Sequence, residues 1–354
     1  MDNVAGVSTI DKDLQALIQK VKDANLPPDL FAKINERLLQ LEKIVSSPSF
    51  LPEFDSIERY INWVTVLPWN TKTKDVLDLT FAKKVMDQHH FGLTEIKDRV
   101  LEYISVMKLK DQKGETEEVY RAPILCFVGL VGTGKTTIAY SIAESLGRKV
   151  ARIPFGGMGD PLDLRGQSRM HPEAEPGKLI KALRDCGSRN PVILLDEIDR
   201  VTDQGRASIM GVLVELLDPK QNYAFMDYYI DFPFNLSEVL FIATANNTTN
   251  IATAVMDRLE PLMMPSYTDL EKTTIGKSYV LPKALKEAGI PDGALVIEEA
   301  VWPNVVRPLG YDAGIRTLER TIAGVVRKSA RQIVEGKQTS VKISQANVKE
   351  YIPQ

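Results

Sequence analysis

The sequence predicts an α/β fold: a parallel sheet with crossover helices, a helical segment before it and a helical subdomain after it. Three observations carry this. Apolar runs of strand length alternate with amphipathic stretches between residues 122 and 265, as crossover-connected parallel strands require. The first run, "APILCFVG" (122–129), is apolar throughout, which suits a strand buried on both faces. It leads directly into "GLVGTGKT" (129–136), a glycine-rich turn that opens a helix.

In chain order, residues 9–66 read as helices. Pro28 suits a first helical position, and in the stretch after it Ile34, Leu38, Leu41 and Val45 recur on one helix face. Packing within a small helical bundle is the simpler use of that seam, and a partner or intersubunit surface the sharper one. Pro68 in "VLPWN" (66–70) ends the pattern. Residues 78–112 give two more helices separated by "HHFGL" (89–93), and the polar "DQKGETEEV" (111–119) reads as a hairpin or loop. Strands are expected at 122–129, 148–155, 191–199, 238–247 and 259–265, with helices at 135–146, 177–187 and 206–218. "MHPEAEPG" (170–177) is a loop, because Pro172 and Pro176 remove donors and restrict their neighbours. From 268 onward the pattern is mainly helical, with a short strand at "SVKI" (340–343).

Bulk properties narrow the class. A chain of 354 residues suits two or three domains. A net charge of −3 exerts no global pull on nucleic acid. The two cysteines, Cys126 within an apolar run and Cys186, argue against a disulfide framework, and adjacent His89 and His90 give no zinc spacing. No apolar run reaches membrane-spanning length, and the first residues do not form a secretory signal.

The turn Gly129, Leu130, Val131, Gly132, Thr133, Gly134, Lys135, Thr136 fits G-x-x-x-x-G-K-[ST]. Its glycines let the backbone approach an anion, and its N–H groups and the following helix N-terminus favour phosphate. Lys135 suits the β- and γ-phosphates, and Thr136 offers a hydroxyl to Mg²⁺. Asp196 and Glu197 end the buried run "VILLD", at the sheet edge where ligands gather in open α/β folds. Asp196 can hold the magnesium, and Glu197 can polarise a water for attack on the γ-phosphate. Asn246 in "FIATANN" can hold that water from the other side. Taken singly, the acid pair reads as a helix start and the asparagine as a turn residue. Their order after a phosphate loop favours nucleotide hydrolysis. Arg258 and Arg316 remain as charge candidates against the surface salt-bridge role of most arginines.

These residues, in this order, resemble an AAA+ ATPase. "LPWN", "HHFGLTEIKDRVLEYISVMKLK", "NPVILLDEIDR", "LLDPKQNYAFMDYYIDFPFNLSEVLFIATANN" and "GYDAGIRTLER" further resemble the ATPase part of the Lon protease family, over nearly the whole chain. The resemblance implies an AAA+ P-loop NTPase fold in three parts: a helical portion of an N-terminal domain (1–70), a nucleotide-binding subdomain (71–265) and a helical lid (266–354). It implies ATP/ADP and Mg²⁺ as cofactors, with Gly129–Thr136 as Walker A, Asp196 and Glu197 as Walker B and Asn246 as sensor 1. Arg258 becomes an arginine finger acting on a neighbouring copy, Arg316 a lid sensor, and Phe91, Gly92 and Leu93 the adenine-pocket segment. A homo-oligomeric ring, a hexamer in this family, is implied, threading unfolded or damaged protein into a proteolytic chamber. DNA is a weaker third partner class, against which the acidic balance argues. The expected compartment is bacterial cytoplasm, with the mitochondrial matrix as alternative.

Two departures from the family pattern stand out. The family's Ser–Lys protease domain follows the lid, and this sequence ends at "VKEYIPQ". The expectation is therefore an excised fragment, or else a protease-free ATPase, without peptidase activity of its own. The family's pore loop carries an aromatic, an aliphatic and a glycine where this chain has His171, Pro172 and Glu173, after Met170. That departure keeps a second function in view: a nucleotide-dependent binding or scaffold module that does not thread protein.

Overall fold

The computed structural model describes residues 2–45, 47, 50–113, 124–291, 293–308, 312–336 and 338–352. Helices α1 (Asp2–Asp23), α2 (Pro28–Lys43) and α3 (Phe50–Val64) open the chain. Pro28 stands at the start of α2, where a missing N–H costs nothing. The buried face of α2 is Leu30, Ile34, Leu38 and Leu41, so the expected seam lies one turn earlier than its sequence reading. Val45 falls beyond the helix end and is only half-buried.

Helix α4 (Leu79–His89) is capped by Asp78, whose carboxylate accepts from Thr80 and Phe81 N–H. Helix α5 (Thr94–Lys113) follows a break in which Gly92 and Leu93 both take positive φ. The loop expected at 111–119 is corrected at its start. Residues 111–113 finish α5, where Lys110 and Lys113 complement the helix C-terminus. Residues 114–119 lie outside the described residues.

The central sheet contains β1 (Ile124–Val128), β2 (Val150–Pro154), β3 (Val192–Asp196), β6 (Leu240–Ala245) and β7 (Leu259–Met263). Their order is β2-β3-β6-β1-β7, parallel throughout, and the five strands are those expected from the sequence. Crossovers run through α6 (Lys135–Leu146), the single turn α7 (Leu162–Arg165), α8 (Lys178–Cys186), α9 (Arg206–Leu216) and the single turn α10 (Thr253–Met256). Strand side chains alternate between two cores. Leu125 and Phe127 face α4, α5 and α6, while Cys126 and Val128 join the core reached by α1–α3. Burial pushes the Cys126 thiol up to about 12, so it behaves as a small core residue.

A short antiparallel hairpin, β4 (Phe225–Asp227) with β5 (Phe232–Phe234), has no counterpart in the sequence expectations. Its strands are too short for a clear period, and no Asn-Gly or Asp-Gly turn marks it. The Trp69 ring packs against Phe232 and Phe234 at 5.9 and 4.8 Å, tying "LPWN" to the hairpin.

The C-terminal elements are α11 (Asp269–Ile275), α12 (Leu281–Glu287), β8 (Leu295–Ile297), α13 (Trp302–Val306), α14 (Arg316–Val334), β9 (Val341–Ile343) and α15 (Val348–Tyr351). Thr268 and Glu271 form a capping box at α11. β9 is the strand expected at 340–343, and it pairs in parallel with β8, which the sequence reading missed. These elements have a core of their own around Trp302, Ile322 and Val325.

Among the described residues no helix is long and apolar enough to cross a membrane. One buried ion pair holds the segment before α4 to the sheet. Arg148, with a fully buried side chain, grips Asp75 in a fork (Nε–Oδ1 2.7 Å, Nη2–Oδ2 2.6 Å) and donates to Glu238 O. Replacing Asp75 by Ala removes the carboxylate that the buried guanidinium grips. The expected cost is about 3 kcal/mol or more in urea unfolding. A loss below about 1 kcal/mol would show that water reaches the pair freely.

Candidate nucleotide site

Strand register builds the site. Val128 of β1 pairs with Ala245 of β6, and Leu195 of β3 with Ala243, so the three strands end level. Gly129, Glu197 and Asn246 leave the sheet side by side as a result. Gly129 N–H donates to Ala245 O at 3.1 Å, fixing where the phosphate loop begins. Leu130 and Val131 form its exposed crest, and the buried Thr133 hydroxyl donates back to Leu130 O. Gly132 has a φ of 82° and faces Arg316, whose Cγ would stand 3.2 Å from any added Cβ. Gly134 then places Lys135 and Thr136 on the first turn of α6.

Lys135 is buried, and its ammonium donates to Gly129 O (2.6 Å), Leu130 O (2.8 Å) and Asn246 Oδ1 (3.1 Å). Burial lowers its pKa. Asp199 opposes the shift, Arg316 adds to it, and Asp196 and Glu197 oppose it. Thr136 Oγ1 stands 3.4 Å from Asp196 Oδ1. Asp196 is buried, with Oδ2 accepting from Arg152 Nε at 2.6 Å and Oδ1 from the Thr244 hydroxyl. Thr244 Oγ1 in turn accepts Glu197 N–H at 2.9 Å. Glu197 adopts a left-handed backbone (φ 58°), an uncommon conformation for a residue other than glycine. Its carboxylate is partly exposed and 3.6 Å from Arg200.

Two buried polar atoms here have no protein partner: Asn246 Nδ2 and Asp199 Oδ1. An orphaned donor beside Lys135 fits a ligand oxygen or a water. Among the described residues, no group of three or more His, Cys, Asp or Glu could hold a metal. A divalent ion held by Thr136 and Asp196 would therefore complete its shell with phosphate and water oxygens, as Mg²⁺ commonly does. The residues present fit a Mg²⁺–nucleotide on these grounds.

Beside the phosphate loop lies a cleft of about 700 Å³, a size that suits a small-molecule ligand. Phe91, Tyr140, Tyr267 and Ile315 help to line it, so it runs between the α4–α5 break, α6 and the C-terminal elements. Gly92 shapes the break, and Leu93 turns into the core beneath it. Arg316 is brought to the site because Ile315 N–H donates to Gly132 O at 3.0 Å. Arg258 is not drawn in. Its guanidinium is engaged by Asp218 (2.9 Å) and Ala254 O (2.7 Å). Met170, His171, Pro172 and Glu173 form an exposed turn away from this cluster, with Met170 92% exposed.

Known families share this arrangement. Residues 125–266 match the model of the ATPase family associated with various cellular activities (AAA). Residues 286–342 match the Lon protease AAA+ ATPase lid domain, and that second match decides among AAA+ branches. The chain belongs to the Lon family. It is 40% identical over 347 residues to Lon protease 2 of Thermus thermophilus, covering 97% of this chain and 43% of that protein. It is 40% identical over 341 residues to Lon protease 1 of Bacillus subtilis, covering 96% of this chain and 41% of that protein. The chain thus spans about two fifths of the length of the Lon relatives it matches. Its fold is the α/β AAA+ P-loop arrangement with a helical lid.

Three polar residues of this Lon-family site escaped sequence reasoning: Arg152, Thr244 and Asp199. Only Asp199 had a visible signal, as the last acid of "DEID" beside an apolar strand. The others are ordinary strand residues that matter through their neighbours.

His90, at the edge of the cleft, is buried, and its Nε2 meets Ser141 Oγ of α6 at 2.9 Å. Burial lowers its pKa to about 4, helped by Lys97 and His89. The folded protein therefore keeps His90 neutral where the unfolded chain protonates it. Stability from this group is present above the ordinary histidine pKa and is lost as pH falls towards about 4. The expected loss is about 3 kcal/mol across that window. Comparing urea midpoints at neutral and acid pH for the wild type and His90→Gln tests it: the variant should lose less, and equal losses would place the sensitivity elsewhere.

Proposed function

We propose that the chain is the ATP-hydrolysing motor part of a Lon-type protease, working in an oligomeric ring to unfold and translocate protein substrates. The observation that carries this is the convergence of Lys135, Asn246, Asp196 and Thr136 at one end of the sheet, with Arg316 docked on the same loop. In this reading Gly129–Thr136 cradle the triphosphate, and Lys135 exchanges its loop carbonyls for phosphate oxygens. Thr136 and Asp196 would hold Mg²⁺, which would neutralise charge developing on the phosphates. Glu197 accepts a proton from the attacking water, and Asn246 orients that water with its unpartnered amide. Arg316 contacts the γ-phosphate from the lid of its own copy, and Phe91, Gly92 and Leu93 form the adenine side. Arg258 acts on the nucleotide of a neighbouring copy after leaving Asp218. We assign residues 1–70 to an N-terminal helical part, 71–265 to the nucleotide-binding subdomain and 266–354 to the lid. We place the chain in the bacterial cytoplasm, in keeping with its bacterial relatives.

The exposed turn at Met170–Glu173 is the proposed substrate loop. It lacks an aromatic gripping residue, which favours the scaffold reading, but Met170 presents a long, adaptable apolar side chain almost wholly to solvent. That observation tips the balance towards threading.

Glu197→Gln should retain ATP binding and lose about 100-fold or more in Mg²⁺-dependent turnover. Normal turnover in this variant would remove Glu197 from its role. For the loop, the measurement is unfolding of a labelled folded substrate by the chain joined to an active Lon protease domain. Met170→Ala should slow unfolding severalfold with ATP turnover retained. An unchanged unfolding rate would remove Met170 from the grip, whereas no ATP-dependent unfolding by the unsubstituted chain would favour the scaffold reading.

A further inference from the structure

The loop Gly166–Gly177 carries the exposed turn at Met170–Glu173, and its two ends are pinched together. Gln167 N–H donates to Glu175 O at 3.1 Å. Gly177 lies so close to the outgoing chain that an added Cβ would stand 2.1 Å from Leu164 O and 2.7 Å from Gly166 N. Only glycine fits this approach.

Directly beneath the pinch lies Asp227, the last residue of β4, with a fully buried side chain. Its Oδ2 accepts Gly177 N–H at 2.8 Å, while its Oδ1 accepts the N–H groups of Tyr229 (2.9 Å) and Ile230 (3.0 Å). Burial raises its pKa to about 6 against these three donors, so it is ionised at neutral pH. Capping the hairpin turn needs Oδ1 alone. The Oδ2 bond to Gly177 does something the hairpin does not require: it fastens the loop stem to the hairpin. The other stem is fastened too, since Tyr228 N–H donates to Arg165 O at 2.7 Å.

The hairpin in turn is fastened to the N-terminal helices. Tyr60 of α3 donates its hydroxyl hydrogen to Ile230 O at 3.0 Å. Asp231 pairs with Lys33 of α2 at 2.7 Å and stands 3.5 Å from Arg169 of the loop. The Arg169 guanidinium lies 3.9 Å over the Tyr60 ring. At the loop tip, Arg59 of α3 donates to Pro172 O at 3.2 Å.

We propose that Asp227 is a positioning residue for the substrate loop, joining loop, hairpin and helices α2 and α3 into one body, so that force on the loop tip is passed to the N-terminal helices. This rests on the reading of Met170–Glu173 as the substrate loop. The association with α2 and α3 gives the loop a support outside the nucleotide-binding sheet.

Asp227→Asn is the test. The amide is isosteric, and its oxygen can still serve Tyr229 and Ile230. Its NH₂ must then face the Gly177 N–H, donor against donor. In hydrogen exchange on the full 354-residue chain, amides of 167–177 should exchange about 10-fold faster or more. Those of the phosphate loop and β3 should keep their rates, and basal ATP turnover should stay within about twofold. Substrate unfolding by the variant, joined to an active protease domain, should fall severalfold while basal turnover holds, a split that general destabilisation does not produce. If only the amides of 228–231 lose protection, Asp227 is a hairpin cap and the proposal is overturned. Should Asp227→Asn not fold, Arg59→Ala, an exposed change, must speed exchange at 168–174, and unchanged exchange there overturns the coupling to α3. Failure of the loop assignment is separate: Met170→Ala would leave unfolding intact while the exchange results still decide the role of Asp227.

Discussion

The parallel register of β1, β6 and β3 is the constraint on which the rest of the structure depends. Each strand contributes its last residues to one edge, and pairing Val128 with Ala245 and Leu195 with Ala243 brings those ends level. A one-residue slip would turn each strand's side chains to the opposite face and carry Thr244 away from Asp196. The level ends also account for the strained Glu197. The chain must leave β3 sharply there, and the left-handed backbone is held by the N–H bond to Thr244 on the neighbouring strand. Local strain at that carboxylate is thus maintained by sheet pairing.

Much of this was legible in the sequence, for identifiable reasons. The inner strands β3, β6 and β1 are buried on both faces, so their apolar runs are unbroken, while the edge strands β2 and β7 expose part of their residues but remain strand-length and mostly apolar. The phosphate loop is legible because close backbone approach to an anion and a tight turn restrict residue choice strongly. Arg152 and Thr244 were not legible. An arginine and a threonine in strands carry no pattern, and their partner Asp196 is reached only through the pairing of β2 and β6 with β3. The hairpin at 225–234 was missed because three-residue strands are too short for alternation to register. Arg258 was legible as a charge, but its pairing with Asp218 was not, since forty residues separate the two in sequence.

Lys135 shows how the phosphate loop holds its own cation. Its ammonium sits among two carbonyls of its own loop and the Asn246 amide oxygen. These bonds keep a buried cation hydrogen-bonded, and an unpaired buried charge is far costlier than a paired one. On the proposed reading the same bonds are given up when phosphate oxygens take their place. The net gain on binding is therefore a difference between two charge-assisted sets, and the unpartnered Asn246 Nδ2 and the nearby Arg316 tilt that difference towards an anion.

The lid enters through the same loop. Gly314 approaches so closely that a Cβ there would stand 2.4 Å from Val131 O, while Ile315 N–H and the Tyr267 hydroxyl donate to Gly132 O and Thr133 O. The lid has its own core, so it can turn as a unit, and part of its contact with the nucleotide-binding subdomain passes through the phosphate-loop backbone. Any ligand that shifts Gly132 or Thr133 must change these contacts, and a lid rotation must change the loop. Differential contact in two lid positions is what a ligand needs in order to move an equilibrium. In this chain the means for it lie in three backbone carbonyls of one turn.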